Sequence, residues 1–244
     1  MARRTAERYH LGRPYHHERT LRRLLETVPT TRGVAIDVAG GTGLSTRALS
    51  ALGFRAVGID PVEAMLALAP RSGGTSYATG VAQALPVANH VAALVTVSSA
   101  VHWFDQPRFF DEVRRVLTAE GTVIIYEHAG VHLPDDPAVM EWASTDYLAR
   151  YPTMPRCRLA GSTAAAHGLQ RCFDDTWVDA VSLTHPALVA YLMTQSNVVD
   201  AIESGRETED VVRSWIAEST ACFFDSHRKR EFGFFVLAEA LRVI

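Results

Sequence analysis

The sequence has little lysine and little cysteine. Lys229 is the only lysine among 24 basic residues, which removes a Schiff-base lysine from most conceivable active sites. The three cysteines, Cys157, Cys172 and Cys222, are odd in number and form no CxxC pair, so neither a disulfide framework nor a cysteine zinc site is indicated. Because this usage is typical of a reducing compartment, we expect a cytoplasmic location.

Long apolar runs and an excess of charge are also lacking. No stretch approaches the roughly eighteen uninterrupted apolar residues of a spanning helix, and the first residues contain no apolar core of a signal peptide. We therefore expect no membrane partner. The formal net charge of -3 gives no reason to expect a nucleic-acid partner. The chain, 244 residues long, can bury one α/β core, and we expect a monomer or homodimer.

What the sequence does contain is a regular alternation of short apolar runs with helical patterns over residues 33–127. This alternation is typical of βαβ units, and nearly continuous Val, Ile, Leu and Ala content predicts strands covered on both faces. The predicted strands are Val34–Val38, Arg55–Ile59, Thr75–Ala78, Ala92–Val97 and Thr122–Tyr126, with two more in WVDAVSLTH and REFGFFVLAEAL.

Beyond these five strands the alternation stops, and aromatic residues become frequent. We expect one domain with four parts: an N-terminal helical lid at 1–30, a ligand-binding core at 31–128, a helical substrate cap with one core strand at 129–226, and a C-terminal edge strand at 227–244. The cap is where we expect the specificity of the protein to lie.

The stretch IDVAGGTGLS, residues 36–45, is an apolar strand that ends in a glycine-rich turn before a helix. Such turns bring the backbone of a helix start close to a ligand. A dinucleotide fingerprint needs a third glycine where Thr46 stands, and a phosphate loop needs a lysine that the chain lacks there. S-adenosylmethionine (SAM) carries no phosphate and is the remaining candidate.

The needs of SAM can be compared with the residues present. Glycines at 40, 41 and 43 permit close backbone approach, and Asp37 can orient the turn. Asp60 ends the second predicted strand and can accept both ribose hydroxyls. This acid alone does not separate SAM from a nicotinamide dinucleotide, because both ligands contain ribose.

Four stretches together resemble the class I SAM-dependent methyltransferases, most closely the type 11 group that includes the trans-aconitate-methyltransferase-like enzymes with an HWF motif. They are AERYHLGRPYHHE, VAIDVAGGTGLST, VGIDPVEAML and GVAQALPVANHVAALVTVSSAVHWFD. The resemblance implies a Rossmann-like α/β fold: a seven-stranded, mostly parallel sheet in the order 3-2-1-4-5-7-6 with helices on both faces. It also implies SAM as the cofactor.

The resemblance implies a role for particular residues. The set expected to hold the cofactor is Asp37, Ala39, Gly40, Gly41, Gly43, Asp60, Pro61, Ala82, Gln83 and Ser98. Trp103 and Phe104 are expected at the substrate. Three positions depart from the family pattern: Ala39 replaces a glycine, Val81, followed by Gln83, replaces the customary acid near adenine, and Ala93 replaces an acid of the fourth strand. We still expect cofactor binding, because Asp60 and the central glycines are kept.

Candidate catalytic residues are His102 and His128, which follow the fourth and fifth strands, with Tyr9, Tyr15 and Glu127 as further candidates. Any one of them can receive a proton or hold an acceptor, and the choice stays open.

Gln195, Ser196 and Asn197 are grouped in YLMTQSNVVD. They either cap a helix or hydrogen-bond the substrate. His128 and His132 have the spacing of two metal ligands, but Gly130 intervenes and no third ligand is apparent, so we expect no metal.

These observations predict SAM-dependent methylation of a small molecule, such as a secondary metabolite, by in-line transfer of the methyl group to O, N or C. Two alternatives stay open. One is a SAM-binding fold that acts as a cyclase or a non-catalytic module, and the other is an NAD-dependent oxidoreductase.

The first testable prediction separates SAM from a nicotinamide cofactor. Saturating S-adenosylhomocysteine is expected to raise the melting temperature of the protein, because a ligand that binds only the native state stabilises it, whereas NADH is expected to leave it unchanged. Thermal unfolding with each ligand measures this difference. Equal shifts with both ligands would contradict the SAM assignment.

Overall fold

The computed structural model describes residues 2–28, 30–71, 73–132, 136–153, 161–224 and 228–244. Seven strands are present in this part of the chain: β1 (Val34–Val38), β2 (Arg55–Asp60), β3 (Thr75–Thr79), β4 (Ala92–Ser98), β5 (Leu117–His132), β6 (Leu169–Leu183) and β7 (Arg230–Val243). They form one sheet in the order β3-β2-β1-β4-β5-β7-β6, and neighbours from β3 to β5 are parallel. The predicted fold class and strand order are confirmed.

Helices connect and cover these strands. The α-helices are α1 (Ala2–Gly12), α2 (His17–Thr27), α3 (Leu44–Ala51), α4 (Glu63–Leu66), α5 (Gln106–Val116), α6 (Pro137–Trp142), α7 (Leu148–Arg150), α8 (Gly161–Ala166), α9 (His185–Leu192), α10 (Ser196–Glu203) and α11 (Glu209–Thr220). Two 3-10 turns, Val101–Trp103 and Ala221–Phe223, and a π-helical turn, Ala143–Tyr147, complete the assignment. None of the described helices is long and apolar enough to cross a membrane.

The chain divides into two compact units. The sheet unit comprises Tyr15–His128, Arg156–Trp177 and Val236–Ile244, and the helical unit comprises Met1–Pro14, Ala129–Pro155 and Val178–Phe235. The segment 1–30, expected to be a single lid, is thus divided after Pro14. The lid, core, cap and edge-strand boundaries stay predictions about function.

The sheet unit has apolar side chains on both faces of the sheet. Ile36, Val38, Val95 and Val97 pack on one face with Phe109 and Phe110 of α5, all fully or almost fully buried. Ala35 and Leu94, at alternate positions of the same strands, pack on the other face with Leu21, Leu24 and Leu49. Because successive side chains of a strand point to opposite faces, both faces are covered, as the continuous apolar runs predict.

The helical unit has its own, more aromatic core. Its buried residues include Tyr147, Tyr151, Tyr191, Phe232 and Phe234. Buried aromatic side chains contribute large apolar areas to a core. The aromatic content beyond the fifth strand therefore builds a separate core.

β5 begins earlier than the sequence indicates. Asp105 caps α5 by accepting a hydrogen bond from the Arg108 N–H, and the helix ends at Val116, directly before β5. Ala92 pairs with Leu117 and Leu94 pairs with Thr122, so the register shifts between these two pairs. Gly121 lies in this irregular part of the strand, where a side chain would collide with the Leu117 side chain.

A second testable prediction concerns Gly58 in β2. An added Cβ at this position would lie 2.7 Å from Thr46 Oγ1 and 2.7 Å from the Tyr77 ring. Gly58→Ala is therefore expected to lower the free energy of unfolding by about 1–3 kcal/mol, the usual cost of overpacking. Gly73→Ala is the matched control, because a Cβ at Gly73 meets nothing within 4 Å. Urea unfolding of both variants measures the difference, and equal stabilities would contradict this packing.

Candidate functional site

The turn between β1 and α3 combines several unusual backbone angles. Ala39, Gly41 and Gly43 have φ angles of 58°, 54° and 80°, which lie in the left-handed region. A Cβ at Gly40 would lie 3.1 Å from both Asp37 Oδ2 and Thr46 Oγ1. The turn therefore needs glycine at position 40 for space and at positions 41 and 43 for conformation.

Ala39, which stands where the family pattern has a glycine, has a left-handed backbone conformation. A left-handed conformation costs an L-residue about 1–2 kcal/mol relative to glycine, so Ala39 stores strain at this turn. Ser99, the residue after β4, has a φ of 52° and is strained in the same way. Both residues directly follow the carboxyl ends of neighbouring strands.

Asp37 lies inside the sheet unit, with no exposed surface. Its Oδ2 accepts hydrogen bonds from the hydroxyls of Ser45 and Thr46, both at 2.6 Å, and its Oδ1 accepts one from Thr96 at 2.9 Å. Burial raises the pKa of Asp37, although the three hydroxyls act in the opposite direction. The side chain thereby joins β1, the first turn of α3 and β4, which is the turn-orienting role considered from the sequence.

Thr46 occupies the position of the third glycine of a dinucleotide fingerprint. In this chain the hydroxyl of Thr46 fills the space beside Gly58 and bonds Asp37. The close packing of helix on strand is therefore achieved with a glycine on β2 instead of one on the helix, which gives a structural reason for the departure from GxGxxG.

Asp60 ends β2 and bonds the backbone of two turns. Its Oδ2 accepts from the Gly41 N–H at 3.0 Å and its Oδ1 accepts from the Val62 N–H at 2.8 Å. Burial raises the pKa of Asp60, and these two backbone donors lower it. Each carboxylate oxygen has a second lone pair, so Asp60 can also accept hydroxyl groups of a ligand.

A cavity of about 300 Å³ opens beside Asp60 in the sheet unit. Its lining includes the predicted cofactor residues Ala39, Pro61, Ala82 and Gln83, together with Val62, Val81, Trp103 and Phe104. Val81 and Trp103 are 45% and 68% exposed, which is unusual for large apolar side chains and leaves them available to a flat apolar ligand. Trp103 and Phe104, expected at the substrate, thus border the same cavity as Asp60.

His102 lies at the carboxyl end of β4, in the 3-10 turn Val101–Trp103. Its Nδ1 is 3.3 Å from Glu127 Oε1 on β5. A carboxylate has no proton to donate, so in the neutral ring this contact favours the tautomer with the proton on Nδ1 and the lone pair on Nε2. The sequence marks both residues as candidates but does not indicate that they form a pair. They come together because β4 pairs in parallel with β5.

His128 belongs to a cluster of imidazole rings. Its ring centroid is 3.8 Å from that of His16 and 5.4 Å from that of His17. His128 Nε2 is 3.0 Å from Thr20 Oγ1, and His17 Nδ1 is 2.9 Å from the Tyr126 hydroxyl. The sequence shows that His16 and His17 are adjacent. It does not indicate the contact between Thr20 and His128, because 108 positions separate these residues. The side chain of His132 lies outside the described residues.

The remaining candidates are placed in different surroundings. Tyr15, in the sheet unit, has the Arg47 guanidinium 4.8 Å from its ring centroid, and burial raises the pKa of its hydroxyl. Tyr9, in the helical unit, is contacted by the Arg13 guanidinium at 4.9 Å. Ser98 ends β4 and is half-buried.

The group from Gln195 to Asn197 lies at the start of α10 in the helical unit. Asn197 Oδ1 accepts from the Tyr147 hydroxyl at 3.2 Å, and its Nδ2 donates to the Tyr151 carbonyl at 2.6 Å. Asn197 therefore holds aromatic residues of the core in place, a role different from the helix cap considered from the sequence, since the N-cap residue Gln195 makes no side-chain capping bond. Gln195 and Ser196 are half-buried.

Comparison with known proteins identifies the domain that contains this turn and cavity. The family described as Methyltransferase domain matches residues 36–125. Residues 36–125 form a class I methyltransferase domain. S-adenosylmethionine is the cofactor of this class, so the predicted family, enzyme class and cofactor are confirmed at the level of the domain; the HWF subgroup is not distinguished.

Individual relatives are similar over different lengths. A protein of Dictyostelium discoideum that is provisionally described as a methyltransferase is 29% identical to this chain over 97 residues. These residues are 40% of this chain and 37% of that protein. The match thus spans well under half of this relative.

Solved structures share the fold over nearly the whole chain. A protein from Anaeromyxobacter dehalogenans, provisionally described as a type II methyltransferase, has a TM-score of 0.72 at 24% identity, covering 93% of this chain and 97% of that one. The YcgJ protein from Bacillus subtilis has a TM-score of 0.56 at 18% identity, covering 94% and 99%. These likenesses extend the fold assignment beyond residues 36–125.

Proposed function

We propose that the protein transfers the methyl group of S-adenosylmethionine to a small-molecule acceptor. The observation that carries this proposal is the convergence of the strained glycine turn, Asp60 and the cavity of about 300 Å³ at the carboxyl edge of one parallel sheet. Open parallel sheets bind their ligands at this edge.

The residues at this edge fit the three parts of SAM. Asp60 would hold the ribose hydroxyls, and the exposed apolar surfaces of Val62, Val81 and Trp103 would lie against adenine. The backbone of the turn at Gly40, Gly41 and Gly43 would face the methionine part. Pro61, Ala82, Gln83 and Ser98 complete the proposed cofactor contacts, while Asp37 acts from inside by fixing the turn.

When bound, SAM supplies a methyl group on a positively charged sulfur, which is already activated for transfer. The protein mainly has to position the acceptor and exclude water, effects that can lower a barrier by several kcal/mol. Aromatic faces are suited to lie near a cation, and Trp103 offers one at the cavity.

His102 is the proposed base for an acceptor whose O, N or C nucleophile loses a proton. The Glu127 carboxylate fixes the proton on Nδ1, which leaves Nε2 as the proton acceptor. His128 is a second candidate, because Thr20 and the ring of His16 hold its imidazole. Roles for Tyr9 and Tyr15 in catalysis, and for Gln195 and Ser196 at the acceptor, remain proposals from the sequence.

We also propose that residues 1–30 close over the cofactor and that residues 129–226 act as a substrate cap. The cytoplasmic location and the monomeric or homodimeric state are proposals as well.

A third testable prediction checks the cofactor site and the reaction together. The protein incubated with methyl-labelled SAM and a panel of small acceptors is expected to produce a labelled acceptor, detected by mass spectrometry. Asp60→Asn is expected to weaken S-adenosylhomocysteine binding about 10–100-fold, because it loses charge-assisted hydrogen bonds to ribose.

Asp146→Asn is the matched control, since it changes the same group at an exposed position of the helical unit. Calorimetry of the folded variants gives the affinities. Wild-type affinity in Asp60→Asn would refute the ribose role. Tight binding of S-adenosylhomocysteine without labelled product from any acceptor would favour a non-catalytic module.

A fourth prediction concerns the pair formed by His102 and Glu127. Glu127→Gln is expected to lower kcat at least tenfold without changing the affinity for S-adenosylhomocysteine, because an amide can donate to Nδ1 and so favour the wrong tautomer. Nitrogen NMR of the His102 ring measures the tautomer directly and does not depend on turnover.

Asp111→Asn provides the matched control. Asp111 Oδ1 is 2.6 Å from His167 Nδ1 in the same unit, so the change disturbs an equivalent pair that the proposed reaction does not use. This control should keep the wild-type kcat. If Glu127→Gln also keeps the wild-type kcat and tautomer, Glu127 has no positioning role.

A further inference from the structure

A cavity of about 450 Å³ lies in the helical unit. It is lined by residues of α1, α9 and α11 and by Met193, which directly follows α9. Its lining includes Arg4 and Arg8 from α1, Glu209 and Arg213 from α11, and the apolar side chains of Leu11 and Met193. Its volume is within the range of small-molecule sites, about 300–1,000 Å³. None of the residues proposed for the cofactor belongs to this unit.

Arg8 is the central charge of this cavity. Its side chain is only 11% exposed, and its Nη2 donates to Thr5 Oγ1 at 3.1 Å. Nε and Nη1 are buried and have no hydrogen-bond acceptor among the described residues. Glu209 Oε2 lies 3.7 Å from Nη1, which gives charge compensation without a hydrogen bond. A buried guanidinium with unused donors is unfavourable unless an acceptor, from a ligand or from water, completes its bonds.

The nearby carboxylates are already shared with other cations. Glu209 bonds Arg213 at 2.9 Å, and Glu7, which also borders the cavity, bonds Arg3 at 3.0 Å outside it. Arg4, Arg8 and Arg213 thus outnumber the acids that face the same space. The excess of positive charge favours an anionic ligand over a cationic or neutral one.

We propose that this cavity binds the carboxylate or phosphate group of a small molecule that also carries a short apolar part. The guanidinium of Arg8 would bond the anionic group, because its fork of N–H donors matches the oxygens of carboxylates and phosphates. Leu11 and Met193 would contact the apolar part. The proposal does not depend on methyl transfer.

The test uses Arg8→Met, which removes the guanidinium and keeps an unbranched apolar side chain. Two probes distinguish the parts of the ligand: inorganic phosphate presents an anion alone, and hexanoate presents a carboxylate with a short chain. Wild-type protein is expected to be stabilised by both probes relative to chloride at equal ionic strength, with hexanoate binding more tightly. In Arg8→Met the affinity for each probe should fall at least tenfold.

The stability of the free variant gives a second readout. Without anion, Arg8→Met is expected to melt at or above the wild-type temperature, because a buried charge with unused donors has been replaced by an apolar group. Arg3→Met is the matched control on the same helix, since Arg3 is 87% exposed and lies outside the cavity. It should keep the wild-type response to both probes.

A second variant, Arg213→Gln, keeps the proposal testable if Arg8→Met fails to fold, and it should also weaken binding of both probes. The absence of any stabilisation of wild type beyond that given by chloride would overturn the proposal. Equal loss of binding in Arg8→Met and Arg3→Met would do the same. Because these readouts need neither SAM nor an acceptor, failure of the proposed methyl transfer would leave them unaffected.

Discussion

The buried carboxylate of Asp37 is the interaction on which the rest of the sheet edge depends. It accepts three hydroxyl hydrogen bonds, from Ser45, Thr46 and Thr96, and so connects two strands and a helix start. A buried carboxylate is tolerated only when its oxygens are bonded in this way. Since the glycine turn runs between Asp37 and Ser45, its ends are held by one side chain, and a second carboxylate, that of Asp60, bonds the turn at Gly41.

Backbone strain and exposed apolar side chains occur at the same edge of the sheet. Ala39 and Ser99 hold left-handed backbone conformations after β1 and β4, and Trp103 exposes most of its surface. Features of this kind lower stability and persist where the surrounding structure enforces them. Their position at the carboxyl end of a parallel sheet explains why this edge, and not the well-packed interior of the sheet, is suited to hold a cofactor.

The helical unit differs from the sheet unit in the composition of its core. Its core consists largely of aromatic rings, and Asn197 satisfies two core tyrosines through its amide. The guanidinium of Arg8 is one of the buried polar groups of this unit whose hydrogen bonds the described residues do not complete. The sequence predicts that specificity lies in this half of the chain. Gln195, Ser196 and Asn197 stand out there by their polarity alone, and polarity does not distinguish a residue that holds the core from one that holds a ligand.

The sequence by itself determined the approximate positions of the strands, the glycine turn and Asp60, because each depends on neighbours within about twenty residues in a βαβ unit. The strand order came from the family resemblance. The sequence did not determine the early starts of β5 at Leu117 and of β6 at Leu169, the His102–Glu127 pair, the ring contacts of His128 or the surroundings of Arg8. Those depend on which strand pairs with which and on how helices pack, so residues as far apart as Thr20 and His128 become neighbours. Only the tertiary structure decides such contacts, because local chemistry is the same whether or not a distant partner is present.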